Sequence, residues 1–344
     1  NRIGDPAVPV EALIADPVAE ARAISPRGAP HPQIALPRAL FPTRTNSAGI
    51  DLTSEQRLAT LAGTLAAGAR GTLEVAPILG LARPEGAAAR RELRNPADRR
   101  ELVGTCVDAD ETAVMVALAA ACTAQPGWAA TAPAERASCL LRAADLLEAG
   151  IDRLLGPIVR EAGKSLPNAV GEVREAVDFL RYYATAVRDG FDNATHRPLG
   201  PIACISPWNF PLAIFTGQVA AALAAGNVVL AKPAEETPLI ASLAVRTLHE
   251  AGVPAGVLQL LPGDGTVGAA LVRDARVRGV MFTGSTEVAR LINRTLAGRL
   301  NPDGRPVPLI AETGGQNAMV VDSSALPEHV VADVLASAFD SAGQ

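Results

Sequence analysis

From Leu199 onward the chain alternates short apolar runs with segments of helical periodicity. Runs over Leu199 to Ser206, Asn227 to Ala231, Val257 to Leu261, Arg278 to Phe282 and Val307 to Ala311 read as strands. Between them, Leu212 to Ala225, Thr237 to Ala251, Thr266 to Asp274 and Glu287 to Ala297 read as helices. The strands lack apolar/polar alternation, as is usual where helices cover both faces of a parallel sheet. Repeated βαβ units of this kind imply an α/β fold with a Rossmann-type parallel sheet and flanking helices. Upstream, a Pro-rich stretch to about Phe41 cannot form one long helix. Thr53-Ser54-Glu55-Gln56 has the form of a capping box, opening a helix toward Ala69. Residues 83–100 are charged and loop-like. A helical block follows over Glu111 to Ala124, Pro133 to Ala149, Ile151 to Ala162 and Ala169 to Val187.

Candidate chemistry gathers where these strands end. Asn209, in Pro207-Trp208-Asn209-Phe210-Pro211, follows the first strand of the alternating region. An open α/β sheet binds ligands at this edge, and an amide there can donate to a developing oxyanion. Trp208 beside proline is equally compatible with core packing. Lys232 and Glu235 follow the second strand, placing a cation and a carboxylate where they could grip a sugar diol, although alone they read as a solvated loop. Gly284-Ser285 opens a helix after the fourth, a seat for phosphate. Gly263-Asp264-Gly265-Thr266-Val267-Gly268 matches G-x-G-x-x-G, a weak signal because no acidic residue follows about 20 positions on. Glu312, followed by Gly314-Gly315, suits a general base facing a ligand. By itself it reads as a surface or capping carboxylate.

Together the segments PWNFP, KPAEETP, FTGSTEVA and ETGGQN resemble the aldehyde dehydrogenase superfamily. The longer wording around Cys204 to Gln218 is similar to the glutamate-semialdehyde (pyrroline-5-carboxylate) dehydrogenase module of bifunctional proline-utilization proteins. The resemblance implies Asn209 as oxyanion donor and Glu312 as general base. It implies NAD held by Lys232 and Glu235 at the adenosine ribose, Gly284 and Ser285 at the pyrophosphate, Gly265 near the adenine, and Ser206, Pro207 and Trp208 beside the nicotinamide. Two departures stand out: Ala289 replaces a frequent glycine, and the PGDGTVG turn is one residue short.

The resemblance also implies an organisation. Residues 1–50 would connect to an upstream FAD-dependent proline dehydrogenase domain, 51–188 form the helical part of the cofactor domain, and 189–198 match an oligomerisation hairpin. Residues 199–312 would be the NAD-binding sheet and 313–344 the start of a catalytic domain. The family's nucleophilic cysteine falls immediately after the segment matching Ser341 to Gln344. Cys106, Cys122, Cys139 and Cys204 have other contexts, so residues 1–344 alone are expected to be inactive. The reaction implied for the complete enzyme is NAD-dependent oxidation of L-glutamate γ-semialdehyde to glutamate. A non-catalytic NAD-binding fragment and a dehydrogenase for another aldehyde are the alternatives.

Composition narrows the rest. At 344 residues, about two domains are expected. With 49% hydrophobic residues and a net charge of -5, the chain can form a substantial core and lacks the electrostatic footprint of a nucleic-acid binder. No apolar run approaches about 18 residues, so no membrane span is expected. The N-terminus lacks a signal peptide's apolar core, which points to the cytoplasm. The four histidines are dispersed and no C-x-x-C occurs, so no metal is expected.

Overall fold

The computed structural model describes residues 5–69, 71–82 and 90–340. Contacts divide the chain into two units, Asn1–Asn46 and Ser47–Gln344. Among the described residues of the first, helix occurs as α1 (Val10–Leu13), α2 (Pro17–Ala23) and the 3-10 turn Pro37–Ala39, short pieces between prolines. Asp16 caps α2 by accepting from the Val18 N–H at 2.9 Å. Side chains in this unit are almost all exposed.

The second unit opens with α3 (Glu55–Gly68), whose cap is Ser54, accepting from Arg57 N. The start is therefore one residue later than a box built on Thr53. β1 (Leu73–Val75), β2 (Arg90–Arg94) and β3 (Leu102–Val107) form a small sheet in the order β1-β3-β2. Arg90 to Arg94 thus corrects the reading of this charged stretch as loop; residues 83–89 lie outside the described residues. Its arginines and glutamate are satisfied by ion pairs on an edge strand, while Leu93 alone is fully buried.

Four helices follow: α4 (Glu111–Ala130), α5 (Pro133–Ala149), α6 (Ile151–Ala162) and α7 (Leu166–Gly190). α4 runs six residues past the expected Ala124, through Pro126, and ends with Trp128 buried. Among the described residues it is the one helix long and apolar enough to cross a membrane. In this fold it is a packing element. Its Ala113, Ala117, Leu118 and Ala121 are buried, and Gln125 bonds the Gly226 carbonyl and the Val228 N–H. Residues 191–200 contain a turn and no strand.

The alternating region folds as expected. β4 (Ile202–Ile205), α8 (Ala213–Ala224), β5 (Val229–Lys232), α9 (Pro238–Glu250) and β6 (Leu258–Leu260) lead into α10 (Gly265–Arg273) and β7 (Gly279–Gly284). α11 (Thr286–Ala297), β8 (Leu309–Thr313) and α12 (Pro327–Phe339) complete the order. The five strands are all parallel, in the order β6-β5-β4-β7-β8. Every residue of β4 and β5 is buried, which explains their unbroken apolar character. Small residues let α8 approach closely: a Cβ at Gly217 would lie 3.0 Å from the Phe179 ring of α7. The chain moves outward from β4 to β5 and β6, then returns to place β7 on β4's other side. This reversal opens a crevice above the C-terminal ends of β4 and β7.

Candidate functional site

A cleft of about 1680 Å³ opens over this edge of the sheet. Ser206, Pro207, Trp208, Asn209, Lys232, Glu235, Gly265, Gly284, Ser285 and Glu312 all line it. Residues up to 106 positions apart in sequence converge because each strand delivers its following loop to the same edge. Trp208 is 44% exposed and lies in the cleft wall, so the core-packing reading of this residue does not hold.

Strand register arranges the floor. Ile205 pairs with Lys232 on one side and Phe282 on the other, and Thr283 pairs with Glu312. Register partners on parallel strands point to the same face. Thr283 and Glu312 therefore stand side by side, and Gln218 of α8 donates from Nε2 to Thr283 Oγ1 at 3.0 Å. The same nitrogen donates to the Ile205 carbonyl at 3.3 Å. Gln218 Oε1 and Ser206 Oγ are buried and without hydrogen-bond partners. Buried polar atoms are normally satisfied, so two orphans lining one cleft fit a ligand with polar groups of its own.

Lys232 is buried to 7% exposure at the end of β5. Burial draws its pKa down, opposed by the fields of Glu235, Glu236, Asp264 and Asp108. The turn carrying Glu235 is tied to the small sheet. Arg91 donates to the Glu235 carbonyl at 3.0 Å and makes a two-point contact with Asp108 at 2.9 and 3.1 Å. This pairing raises the Arg91 pKa and lowers that of Asp108.

Four helices leave the C-terminal edge, and their caps differ in charge. Glu172 Oε2 accepts from Leu212 N and Ala213 N at the start of α8. Glu161 accepts from Leu239 N at 2.6 Å and Ile240 N at 2.9 Å at α9. Burial pushes the Glu161 carboxyl up to about 8 despite those bonds. Asp264 caps α10 through Thr266 N at 2.8 Å. The cap of α11 is the neutral Ser285, accepting from Val288 N at 3.2 Å. Of these four termini, α11 alone begins without a carboxyl group at its cap, and it can favour an added anion.

A Cβ at Gly284 would meet the Phe282 ring at 2.7 Å, so any side chain there would displace that ring. At Gly265 a Cβ would meet nothing within 4 Å, leaving open space above the start of α10. None of the cysteines lines the cleft. Cys204 is buried in β4 with its thiol pKa pushed up by burial, and Cys106, also buried, is pushed up to about 12. Sequence reasoning missed Glu161, Glu172, Gln218 and Arg91. The two glutamates lie within amphipathic helical patterns where a carboxylate reads as solvent-facing; α8 and α9 folding over them creates the burial.

Sheet order, cleft and edge residues define a Rossmann-type α/β protein whose candidate ligand site carries a carboxamide, a buried lysine and carboxylates. The chain belongs to the aldehyde dehydrogenase family, which matches residues 84–344. It is 59% identical to the bifunctional protein PutA of Klebsiella aerogenes over 350 residues, covering 100% of this chain and 26% of that protein. It is 40% identical to 1-pyrroline-5-carboxylate dehydrogenase of Geobacillus kaustophilus over 265 residues, covering 73% of this chain and 51% of that one. The solved structure of 1-pyrroline-5-carboxylate dehydrogenase from Thermus with bound NAD superposes with a TM-score of 0.80 at 33% identity, covering 89% of this chain and 62% of that one. The chain thus spans about a quarter of the length of the bifunctional relative.

Proposed function

We propose that residues 47–344 form the cofactor half of an L-glutamate γ-semialdehyde dehydrogenase, acting in proline catabolism within a longer polypeptide. The observation that carries this reading is the convergence of Asn209, Glu312, Lys232, Glu235 and Ser285 on one cleft at the switch point of the sheet. Similarity to a 1-pyrroline-5-carboxylate dehydrogenase supports the choice of aldehyde, since addition of water opens that cyclic imine to the γ-semialdehyde.

NAD, when bound, supplies the hydride acceptor. Lys232 and Glu235 would hold its adenosine ribose, with Glu235 accepting from a hydroxyl and repelling a 2′-phosphate. The first turn of α11 with Ser285 would hold the pyrophosphate. Ser206, Pro207 and Trp208 would line the nicotinamide, and the open space over Gly265 would admit the adenine. Asn209 would donate its amide N–H to the oxyanion formed when a cysteine thiolate adds to the aldehyde carbonyl. Glu312 would take a proton from the water that releases glutamate. The thiolate would come from sequence outside residues 1–344, since the present cysteines lie away from the cleft. In the same proposal an FAD-dependent proline dehydrogenase domain is linked upstream, and the enzyme is a cytoplasmic homo-oligomer. The bifunctional PutA matches the whole chain whereas the 1-pyrroline-5-carboxylate dehydrogenase matches 73% of it, which supports the linkage.

The test is NADH formation from L-glutamate γ-semialdehyde by the complete enzyme, beside other aldehydes and NADP, with residues 1–344 alone as a further arm. The expected outcome is turnover that prefers this aldehyde and NAD, and none from residues 1–344. Turnover by residues 1–344, or preference for an unrelated aldehyde, would overturn the assignment.

A further inference from the structure

We propose that Lys164 and Glu172 are positioning residues that set the direction of the Asn209 amide. The inference rests on Asn209 being the oxyanion donor. Residues 206–212, which carry Asn209, belong to neither helix nor strand. Only the Ser206 N–H continues the ladder, donating to the Lys232 carbonyl at 3.2 Å, and beyond it side chains help to set the path to the start of α8.

A single buried ion pair meets this need. Lys164 Nζ lies 2.7 Å from Glu172 Oε1, with side chains 6% and 0% exposed. Glu172 Oε2 accepts from the N–H groups of Leu212 at 3.2 Å and Ala213 at 2.9 Å, fixing the first turn of α8. Oε1 accepts no directed hydrogen bond, so the ammonium is what balances it. The same Nζ stands 4.0 Å from the centroid of the Phe210 ring, within cation–π reach. One ion pair therefore holds the chain at Phe210 and again at Leu212 and Ala213. Asn209 is the residue next to the first of these anchors.

The far end of α8 is also held. Trp128 Nε1 donates to the Leu223 carbonyl at 3.1 Å, and the buried Arg136 donates to the Ala224 carbonyl at 2.9 Å. With the helix pinned there, loosening of the ion pair is taken up by the loop before it. Buried ion pairs add little net stability compared with apolar packing of the same volume. What this pair supplies is a fixed geometry beside Asn209.

A double-variant cycle on the complete enzyme tests this. Wild type, Lys164→Met, Asn209→Ala and the combined variant are compared by single-turnover NADH formation at saturating NAD and L-glutamate γ-semialdehyde, with NAD affinity measured by calorimetry. Lys164→Met is expected to slow hydride transfer by about tenfold to a hundredfold, the scale of a misplaced catalytic group. NAD affinity should hold within about twofold, the split expected of a change confined to the chemical step. In the Asn209→Ala background Lys164→Met should add no further loss, and Lys164→Arg should restore most of the rate. Should Lys164→Met fail to fold, Lys164→Met with Glu172→Gln leaves no lone buried charge and replaces it in the cycle. Losses that multiply in the combined variant would overturn the positioning role while leaving Asn209 as donor. An Asn209→Ala rate equal to wild type would overturn the donor reading and this inference with it.

Discussion

Replacing Ser285 in two ways separates its work as a helix cap from its place in the cleft. Its hydroxyl accepts from Val288 N at 3.2 Å, and a lost cap of this kind costs about 1 kcal/mol. In a unit as large as Ser47–Gln344 that corresponds to a drop in Tm of about 2 °C for Ser285→Ala. Ser285→Asp keeps an equally good cap and should leave Tm within a degree or so of wild type. The ligand responds in the other order. Ser285→Ala removes one hydrogen bond to an anionic group, worth about 1.5–3 kcal/mol, or roughly tenfold or more in NAD Kd. Ser285→Asp sets a carboxylate against the pyrophosphate. At about 4 Å this repulsion is about 1 kcal/mol per charge pair in water and about 4 at the effective dielectric of a protein surface. Since Ser285 is exposed, the lower part of this range applies for each charge, added to the lost donor. Calorimetric titration of NAD into each variant, with Tm measured alongside, should rank affinity as wild type, then Ser285→Ala, then Ser285→Asp. Stability should rank Ser285→Ala lowest. NAD binding by Ser285→Asp equal to wild type would refute the placement of the pyrophosphate on α11.

With Glu312 as the proposed base acting after hydride transfer, Glu312→Gln in the complete enzyme should keep a rapid NADH burst while steady turnover falls by roughly a hundredfold or more. Loss of the burst with NAD affinity intact would place Glu312 earlier in the reaction. Arg91→Met should weaken NAD binding several-fold without changing the rate at saturating cofactor, because the bond to the Glu235 carbonyl is lost; Arg91→Lys should recover little, as it lacks the fork that holds Asp108. An unchanged Kd for Arg91→Met would detach this strut from the ribose turn. Glu161 makes stability depend on pH. Burial holds its folded pKa at about 8, above the ordinary value of 4.5, so the folded state binds the extra proton between these values and stability falls as pH rises through them. Urea unfolding at pH 5 and pH 8 should show a smaller decline for Glu161→Gln than for wild type, and identical slopes would contradict the shift.

Much of the sheet was legible because its signal is local. Strands β4 to β8 and helices α8 to α11 follow from runs and periods that any window of the chain displays. The small sheet was not: β1 has three residues, and β2 is Arg-rich, with one fully buried side chain. Such strands exist because β3 lies between them, a pairing across sequence that no window contains. The capping shift at α3 has the same origin at smaller scale, since Thr53 and Ser54 are both competent caps and only the backbone path decides between them.

The sequence by itself determined the alternation of strand and helix, and with it the C-terminal edge on which Asn209, Lys232, Ser285 and Glu312 must all emerge. Parallel strands joined by right-handed crossovers leave few other arrangements. The tertiary structure decided which helix termini remain available to an anion. Glu161 and Glu172 are ordinary helix residues in the sequence, and only the packing of α6 and α7 against the sheet helices sends their carboxylates to the first turns of α9 and α8. It likewise decided that Lys164 faces Phe210. Charge at a buried site is set by neighbours brought together from distant positions, because desolvation and hydrogen bonding act over a few ångströms of space whatever the separation along the chain.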